Sequence, residues 1–409
     1  MYKFSQMNES NLNDMVNIVK NAYPGVAANI TAEGMVERSK RPNVKYHCVH
    51  SGDKQVGGFL LWDFEMNARQ LMIKVGGIGS VAVDLCHKKE KICREILRYF
   101  IDNLRDSNIN MAVLYPFNSA FYYKMGFGFG NLLQQFRLKP EDLPGGSSKS
   151  HIAMLSENNA TELAKFYNSR VALTHGLMTK TANEFAISLK LPDNKVVAYV
   201  KDGVIRGYLA FQFKKASDES FLANDMVVSE LLFDSPEVFA ELMAFLKSQS
   251  DQVRYVIVNT QDDGFIYSVA DPRNHMDRVL TSVYQECCRT GLGLMYRICD
   301  VDGFFSDMAN CRFGNLTMTL RLNVNDSFVS ENNRAFILKF DNGLCTVSDG
   351  KPDAELNIGI AELSSMVMGC ANLTQLVKYA KATISDERWL DPLSRAFSLE
   401  EKPVCYTVF

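Results

Sequence analysis

The sequence predicts an α+β fold laid out in three successive segments. Three observations carry that prediction. Strand-like and helix-like stretches alternate along the first two segments, as layered folds require. A seven-residue pattern recurs at an offset of 149 residues. The last segment is richer in strands and ends on an apolar tail. The expected domains are 1–145, 150–290 and 291–409, with the linker Pro144-Gly145-Gly146-Ser147-Ser148-Lys149-Ser150 after the first.

The first segment opens with a helix, because Leu12, Met15, Val16, Val19, Ala22 and Tyr23 recur at a helical period. A hairpin follows, Tyr46–His50 with Val56–Phe64, turning through Ser51-Gly52-Asp53-Lys54. A strand over Ile78–Val83 leads into a basic turn. The next helix carries Ile92, Ile96, Leu97, Phe100, Ile101 and Leu104 on one face. A strand at Met111–Tyr115 and the stretch Asn118–Gly130 close the segment.

The second segment repeats the first. Gly58-Phe59-Leu60-Leu61-Trp62-Asp63-Phe64 returns as Gly207-Tyr208-Leu209-Ala210-Phe211-Gln212-Phe213, each after a glycine-containing turn. A strand around Glu230–Leu232, a helix over Pro236–Leu246 and a strand at Tyr255–Val258 follow in the same order, which indicates a duplicated domain. In the third segment strands are expected at Gly314–Val324, Arg334–Phe340, Leu344–Ser348 and Ala354–Ile360, then a helix from Ala361 through Gly369. The final Pro403-Val404-Cys405-Tyr406-Thr407-Val408-Phe409 is apolar, so the tail is expected to pack.

Composition excludes several classes. With 409 residues, 47% hydrophobic and 22% charged, the chain can bury ordinary cores. Lys and Arg total 44 against 47 Asp and Glu, so no electrostatic footprint for nucleic acid is expected. No apolar run reaches the length of a membrane span, and MYKFSQMNES does not read as a signal peptide. The ten cysteines form no CxxC pair and are expected as reduced thiols, which implies a cytoplasmic protein. The six histidines show no HxxxH spacing, so no dedicated metal site is expected.

Two features can carry chemistry. Between Asp84 and Arg94, four basic residues (Lys88, Lys89, Lys91, Arg94) stand against two acidic ones at the start of a helix. Such a terminus attracts phosphate through free N–H groups and the dipole, although a solvated charged turn has the same composition. The second feature is Phe121-Tyr122-Tyr123-Lys124-Met125-Gly126-Phe127-Gly128, with Gly126 placed to end a short helix. Its bland alternative is an aromatic cluster closing a core.

Strand, basic turn, helix, strand and FYxKxGF together resemble the GNAT acetyltransferases. Over essentially its whole length the chain resembles the Eis-type (enhanced intracellular survival) members. The C-terminal Asp353-Ala354-Glu355-Leu356-Asn357-Ile358, Leu363 and Met368-Gly369 resemble the sterol carrier pattern. The resemblance implies tandem GNAT (acyl-CoA N-acyltransferase) domains, the second degenerate, then a sterol-carrier-protein-like domain that supplies a C-terminal carboxylate. It implies an N-acetyltransferase that uses acetyl-CoA as co-substrate. The acceptor is then a primary amine: an aminoglycoside, a polyamine or a lysine-type side chain. It also implies a hexamer.

Carried over residue by residue, the acetyl-CoA strand falls on Val81, Ala82 and Val83, and the pyrophosphate turn on Lys89, Glu90, Lys91, Ile92, Cys93 and Arg94. A further cofactor contact falls on Phe117 and Asn118. The general-acid tyrosine falls on Tyr122, with Tyr123 the neighbour most easily confused with it. The general base falls on the terminal carboxylate of Phe409, whose ring would be an apolar anchor.

The chain departs from the family at Lys91 and Cys93, which occupy the turn's glycine positions, so cofactor affinity is in question. An acyl-CoA or lipid carrier with impaired catalysis is therefore the alternative reading. The second copy lacks the basic turn, carries Asp234 before Pro236 and has no FYxxxGF, so it is expected to be structural. Gly77-x-Gly79-x-x-Ala82 mimics a dinucleotide fingerprint, but a strand rather than a helix follows it.

Overall fold

The computed structural model describes residues 2–146, 148–218, 223–276 and 279–409. Ser147, inside the expected linker, lies outside the described residues. Along the first stretch the elements are β1 (Lys3–Gln6), α1 (Leu12–Ala22), α2 (Ala32–Ser39), β2 (Val44–Ser51), β3 (Lys54–Ala68), β4 (Leu71–Val83), α3 (Ile92–Asp106), β5 (Met111–Leu114), α4 (Ser119–Tyr123) and β6 (Gly128–Phe129). Next come β7 (Leu132–Leu138), β8 (Ile152–Met154), α5 (Ala160–Val171), α6 (Ala182–Lys190), β9 (Lys195–Lys201), β10 (Val204–Lys215), β11 (Asn224–Phe233), α7 (Pro236–Lys247), β12 (Val253–Thr260) and the short strands β13 (Val279–Thr281), β14 (Tyr284–Gln285) and β15 (Cys288–Leu292). The last stretch holds β16 (Met295–Ile298), α8 (Val301–Asp307), β17 (Met318–Asn325), β18 (Ala335–Asp341), β19 (Leu344–Val347), β20 (Ala354–Gly359), α9 (Ile360–Val367), α10 (Leu373–Lys378), β21 (Ala382–Ile384) and α11 (Leu390–Phe397).

The chain divides into two compact units. One comprises Met1–Gly130, Leu294–Glu400 and Val408–Phe409; the other comprises Asn131–Gly293 and Glu401–Thr407. The first unit holds a seven-stranded sheet, β1-β2-β3-β4-β5-β16-β6, and a five-stranded sheet, β19-β18-β17-β20-β21. The second unit holds a seven-stranded sheet of the same design, β15-β7-β12-β11-β10-β9-β8. In each seven-stranded sheet one adjacent pair is parallel, β4 with β5 and β11 with β12. The tandem α+β layout and the carrier-like third sheet are thus present.

Two strands do not follow the limits 145 and 291. β7 lies before 145 and joins the second sheet, while β16 lies past 291 and joins the first. Each supplies backbone partners to strands that would otherwise leave a sheet edge open.

In the first unit α3 buries Ile92, Ile96, Leu97, Phe100, Ile101 and Leu104 against β3, β4 and β5, the face expected from periodicity. The first sheet and the carrier-like segment share that unit through buried ionic contacts. Arg69, in the turn between β3 and β4, donates to the carbonyls of Ala396 at 2.9 Å and Phe397 at 3.0 Å, where a cation meets the end of α11. Arg297 on β16 is fully buried and pairs with Asp326 at 2.6 Å. Among the described residues no helix is long and apolar enough to cross a membrane.

Candidate active site

The site begins where β4 and β5 part. They pair only from Val75–Gly77 to Met111–Val113. Beyond Gly77, β4 continues on its other side with β3, where Gly58 faces Ala82 and Leu60 faces Gly79. β4 therefore carries one extra residue there, a bulge that re-aims the strand, and Ser80 takes a left-handed φ of 49°. After Leu114 the chain leaves the sheet through Tyr115, and Pro116 has no N–H to continue the ladder.

Phe409 fills the wedge so opened. A Cβ on Gly77 would lie 2.7 Å from the Phe64 ring and 2.9 Å from the Phe409 ring. One on Gly79 would lie 3.1 Å from the terminal carbonyl carbon of Phe409. The two glycines of the apparent dinucleotide fingerprint are therefore the floor under this residue. Its ring centroid lies 5.0 Å from Phe64, 5.4 Å from Tyr115 and 6.3 Å from Trp62. The ring is held by the aromatic box while the carboxyl lies on the strand backbone.

Two cavities meet at this point. One, of about 460 Å³, is lined from α1, α2, β4 and the chain after β5, and includes Tyr122 and Phe409. The other, of about 580 Å³, is lined by Val81, Val83, His87, Lys88, Lys89, Lys91, Ile92, Cys93, Arg94, Phe117 and Asn118, among others. Tyr23, Val81 and Phe117 line both. The Tyr23 hydroxyl donates to the Val81 carbonyl at 2.9 Å, and burial, with the nearby Cys93, pushes it up to about 12.

Tyr122 is placed by its own turn. The Phe121 N–H donates to the Asn118 side chain at 3.1 Å, capping α4, and Gly126 at φ 82° ends the turn. Arg297 donates to the Met125 carbonyl at 2.6 Å and holds that loop from below. The Tyr122 ring is buried edge-on against Phe117, Phe121 and Phe127. Burial, then the neighbouring Cys93 and Tyr23, raises its hydroxyl well above the ordinary phenol range, so it stays protonated at neutral pH. Tyr123 points elsewhere: its hydroxyl donates to Glu362 and accepts from Lys381, and it lines neither cavity.

The basic turn keeps a glycine-like backbone without glycine. Lys89 and Lys91 take left-handed φ values of 72° and 64°. Lys91 is the N-cap of α3 and contributes no side-chain cap, so the helix presents open N–H groups to the larger cavity. Glu90 is turned aside: its carboxylate meets His87 at 3.1 Å and its carbonyl accepts from Tyr2. Ala82 is buried and lines neither cavity. Burial pushes the Cys93 thiol up to about 12, which leaves it a thiol and not a nucleophile.

Sequence reasoning missed Tyr23, Arg38, Tyr46 and the box of Trp62, Phe64 and Tyr115. The aromatic run Trp62-Asp63-Phe64, with alternate residues on one face, was the available signal.

The geometry has counterparts in known proteins. A model described as an acetyltransferase (GNAT) domain matches residues 3–130, and a second GNAT model matches 178–298. A sterol carrier protein domain model matches 301–406. The solved GCN5-related N-acetyltransferase from Anabaena variabilis is 16% identical, with a TM-score of 0.84 and 100% of each chain covered. That from Kribbella flavida is 18% identical, with a TM-score of 0.78, covering 100% of this chain and 98% of its own. Eis1 from Mycobacterium abscessus is 15% identical, with a TM-score of 0.79 and 100% of each chain covered. At such identities the likeness is one of fold. No curated protein matches the sequence.

Proposed function

We propose that this chain, whose sequence matches two GNAT acetyltransferase domain models and a sterol carrier domain model, is an Eis-type N-acetyltransferase that acetylates a primary amine by direct attack, with Tyr122 as general acid and the Phe409 carboxylate as general base. One observation carries this reading. The carboxyl on Gly79 and the protonated phenol of Tyr122 line one cavity, and that cavity joins a basic one at Val81.

Acetyl-CoA is the co-substrate, and the residues present fit it. The cleft beside Val81–Val83 leaves β4 without a β5 partner; the Val81 carbonyl accepts from Tyr23, and N–H groups of this stretch would meet the pantetheine arm and polarise the thioester carbonyl. The open N-terminus of α3 with Lys88, Lys89, Lys91 and Arg94 suits the pyrophosphate. Phe117 and Asn118 flank that cavity.

The acceptor reaches the cavity of about 460 Å³, beside Phe409, as an ammonium ion. A free terminal carboxylate has a pKa of about 3.5, which makes it a weak base. The aromatic box fixes the ring, and so fixes where the carboxylate stands on β4. The carboxylate takes one proton, the neutral nitrogen bonds to the acetyl carbonyl carbon, and the C–S bond breaks. The Tyr122 hydroxyl gives its proton to the departing thiolate, and the nitrogen's second proton passes to the phenolate as the amide forms, which restores Tyr122. The acceptor class is an aminoglycoside, a polyamine or a lysine-type amine, and the assembly a cytoplasmic hexamer.

The test is thiol release from acetyl-CoA with an amine panel. Tyr122→Phe is expected to lower kcat about 100-fold or more with little change in acetyl-CoA affinity. A tag extending the chain beyond Phe409 is expected to abolish turnover; a fully active C-terminal fusion would refute the base assignment.

A further inference from the structure

The cavity of about 460 Å³ has an asymmetric charge inventory. Among its described lining residues the only charged side chain is Arg38, in the last turn of α2. The other polar side chains there, Asn29, Thr31, Ser80 and four tyrosines, are neutral. The one negative group is the Phe409 carboxylate on the β4 wall. Arg38 has no carboxylate within ion-pair distance among the described residues, because its neighbour Glu37 is taken by Lys40 at 2.7 Å. Its guanidinium reaches the Tyr46 hydroxyl: burial raises that phenol and Arg38 draws it back down.

A chamber with a carboxylate on one wall and an unneutralised guanidinium on another is complementary to a zwitterion. It lacks what a polycation needs, since a second ammonium would meet Arg38 with no acidic side chain to offset it. We propose that the acceptor is a small amine that carries an anionic group, carboxylate or phosphate, and that Arg38 binds this group and sets acceptor choice. This rests on the acetyltransferase reading given above and narrows its acceptor class towards the lysine-like, away from aminoglycosides and polyamines. Arginine suits the task because its planar fork matches either oxyanion.

The experiment measures kcat/KM for four amines of similar length: δ-aminovalerate, aminobutyl phosphate, pentylamine and cadaverine. At least one anionic amine is expected to exceed pentylamine tenfold or more, with cadaverine the poorest. Whichever anionic amine leads identifies the source of the oxyanion. Arg38→Glu is expected to reverse the order in favour of cadaverine. Cadaverine equal or superior with the unaltered protein, or an order unmoved by Arg38→Glu, overturns the inference. A second arm does not depend on turnover: saturation-transfer NMR with valerate and butyl phosphate, which cannot react. Binding that is lost in Arg38→Gln supports the anion site even if no amine is acetylated, in which case only the catalytic reading falls. No binding, or equal binding in both proteins, overturns it.

Discussion

The two seven-stranded sheets share one strand order, yet their described residues line the two clefts differently. The comparison can be made register by register. Trp62 on β3 faces Gly77, and its counterpart Phe211 on β10 faces Val228. Both positions mark where parallel pairing stops, with β5 in one sheet and β12 in the other. Gly77 leaves room for the Phe409 ring; Val228 is fully buried in its own core. Both strands then bulge, but after the second bulge comes Glu230, paired with Lys180 at 2.7 Å and bonded by Tyr208. The Leu231 carbonyl accepts from Tyr406 at 3.0 Å. The Val81 carbonyl of the first cleft likewise accepts from Tyr23, so what separates the two clefts is the Lys180–Glu230 pair and the tyrosine bonded to it in the second.

The helices that follow differ in the same sense. α3 starts at Lys91 without a side-chain cap. α7 starts at Ser235, whose hydroxyl accepts from Val238, with Pro236 next and Asp234 paired to Arg206 at 2.9 Å. A capped, proline-led and acid-flanked terminus has neither the free N–H groups nor the charge to hold a pyrophosphate. A duplicated topology keeps its function only where glycines and an uncapped helix leave space.

The contrast can be broken deliberately. The largest stability effect is expected for Arg297→Ala, which leaves Asp326 buried without its counter-ion, held only by Asn332 and the Phe328 and Val329 N–H groups. A loss of about 3–5 kcal/mol is expected in denaturant unfolding of the first unit. Gly77→Val copies the second sheet into the first. Turnover is expected to fall on the order of 100-fold as Phe409 is displaced, because the new side chain meets the Phe64 and Phe409 rings. Steady-state kinetics and circular dichroism would separate this from unfolding.

Lys91→Gly sharpens the contrast from the other side. Relief of the left-handed φ is expected to stabilise the protein by roughly 1 kcal/mol. Acetyl-CoA binding is expected to become less salt-dependent as one charge is removed. Calorimetric melting and titration at two ionic strengths measure both.

A smaller effect separates the cores by pH. His47 faces Phe59, where the second sheet has Ala198 facing Tyr208. Burial, aided by Lys45, lowers His47 from 6.5 to about 4. The unfolded chain then takes up a proton below about 6.5 that the folded chain refuses until about 4. Stability is present above 6.5 and lost as pH falls through that window. Urea unfolding at several pH values is expected to show a slope that His47→Gln flattens.

Much of this was legible in the sequence, for local reasons. The α3 face, the β2–β3 hairpin and the β18–β19 turn at Asn342-Gly343 follow from periodicity and turn chemistry, and both turn residues take left-handed φ. The duplication was legible because Gly58–Phe64 kept its spacing. α2 was missed because only Met35 is buried in it. The crossing of β7 and β16 into the other sheet was illegible, since short strands carry no mark of their partner. Gly77 and Gly79 were visible as a rejected fingerprint and were given no role: their purpose appears only when Phe409, over three hundred residues away, is set against them. Lys91 at a glycine position put cofactor affinity in question; the backbone there takes the left-handed shape that a glycine would take.

The most direct test of the account alters one atom group. Protein ending in a Phe409 amide, made by ligation of a synthetic C-terminal peptide, keeps the ring in its box and removes the base. The account predicts kcat lowered on the order of 100-fold or more with unchanged acetyl-CoA affinity, and the ligated free acid fully active. An amide that turns over as fast as the acid would contradict it.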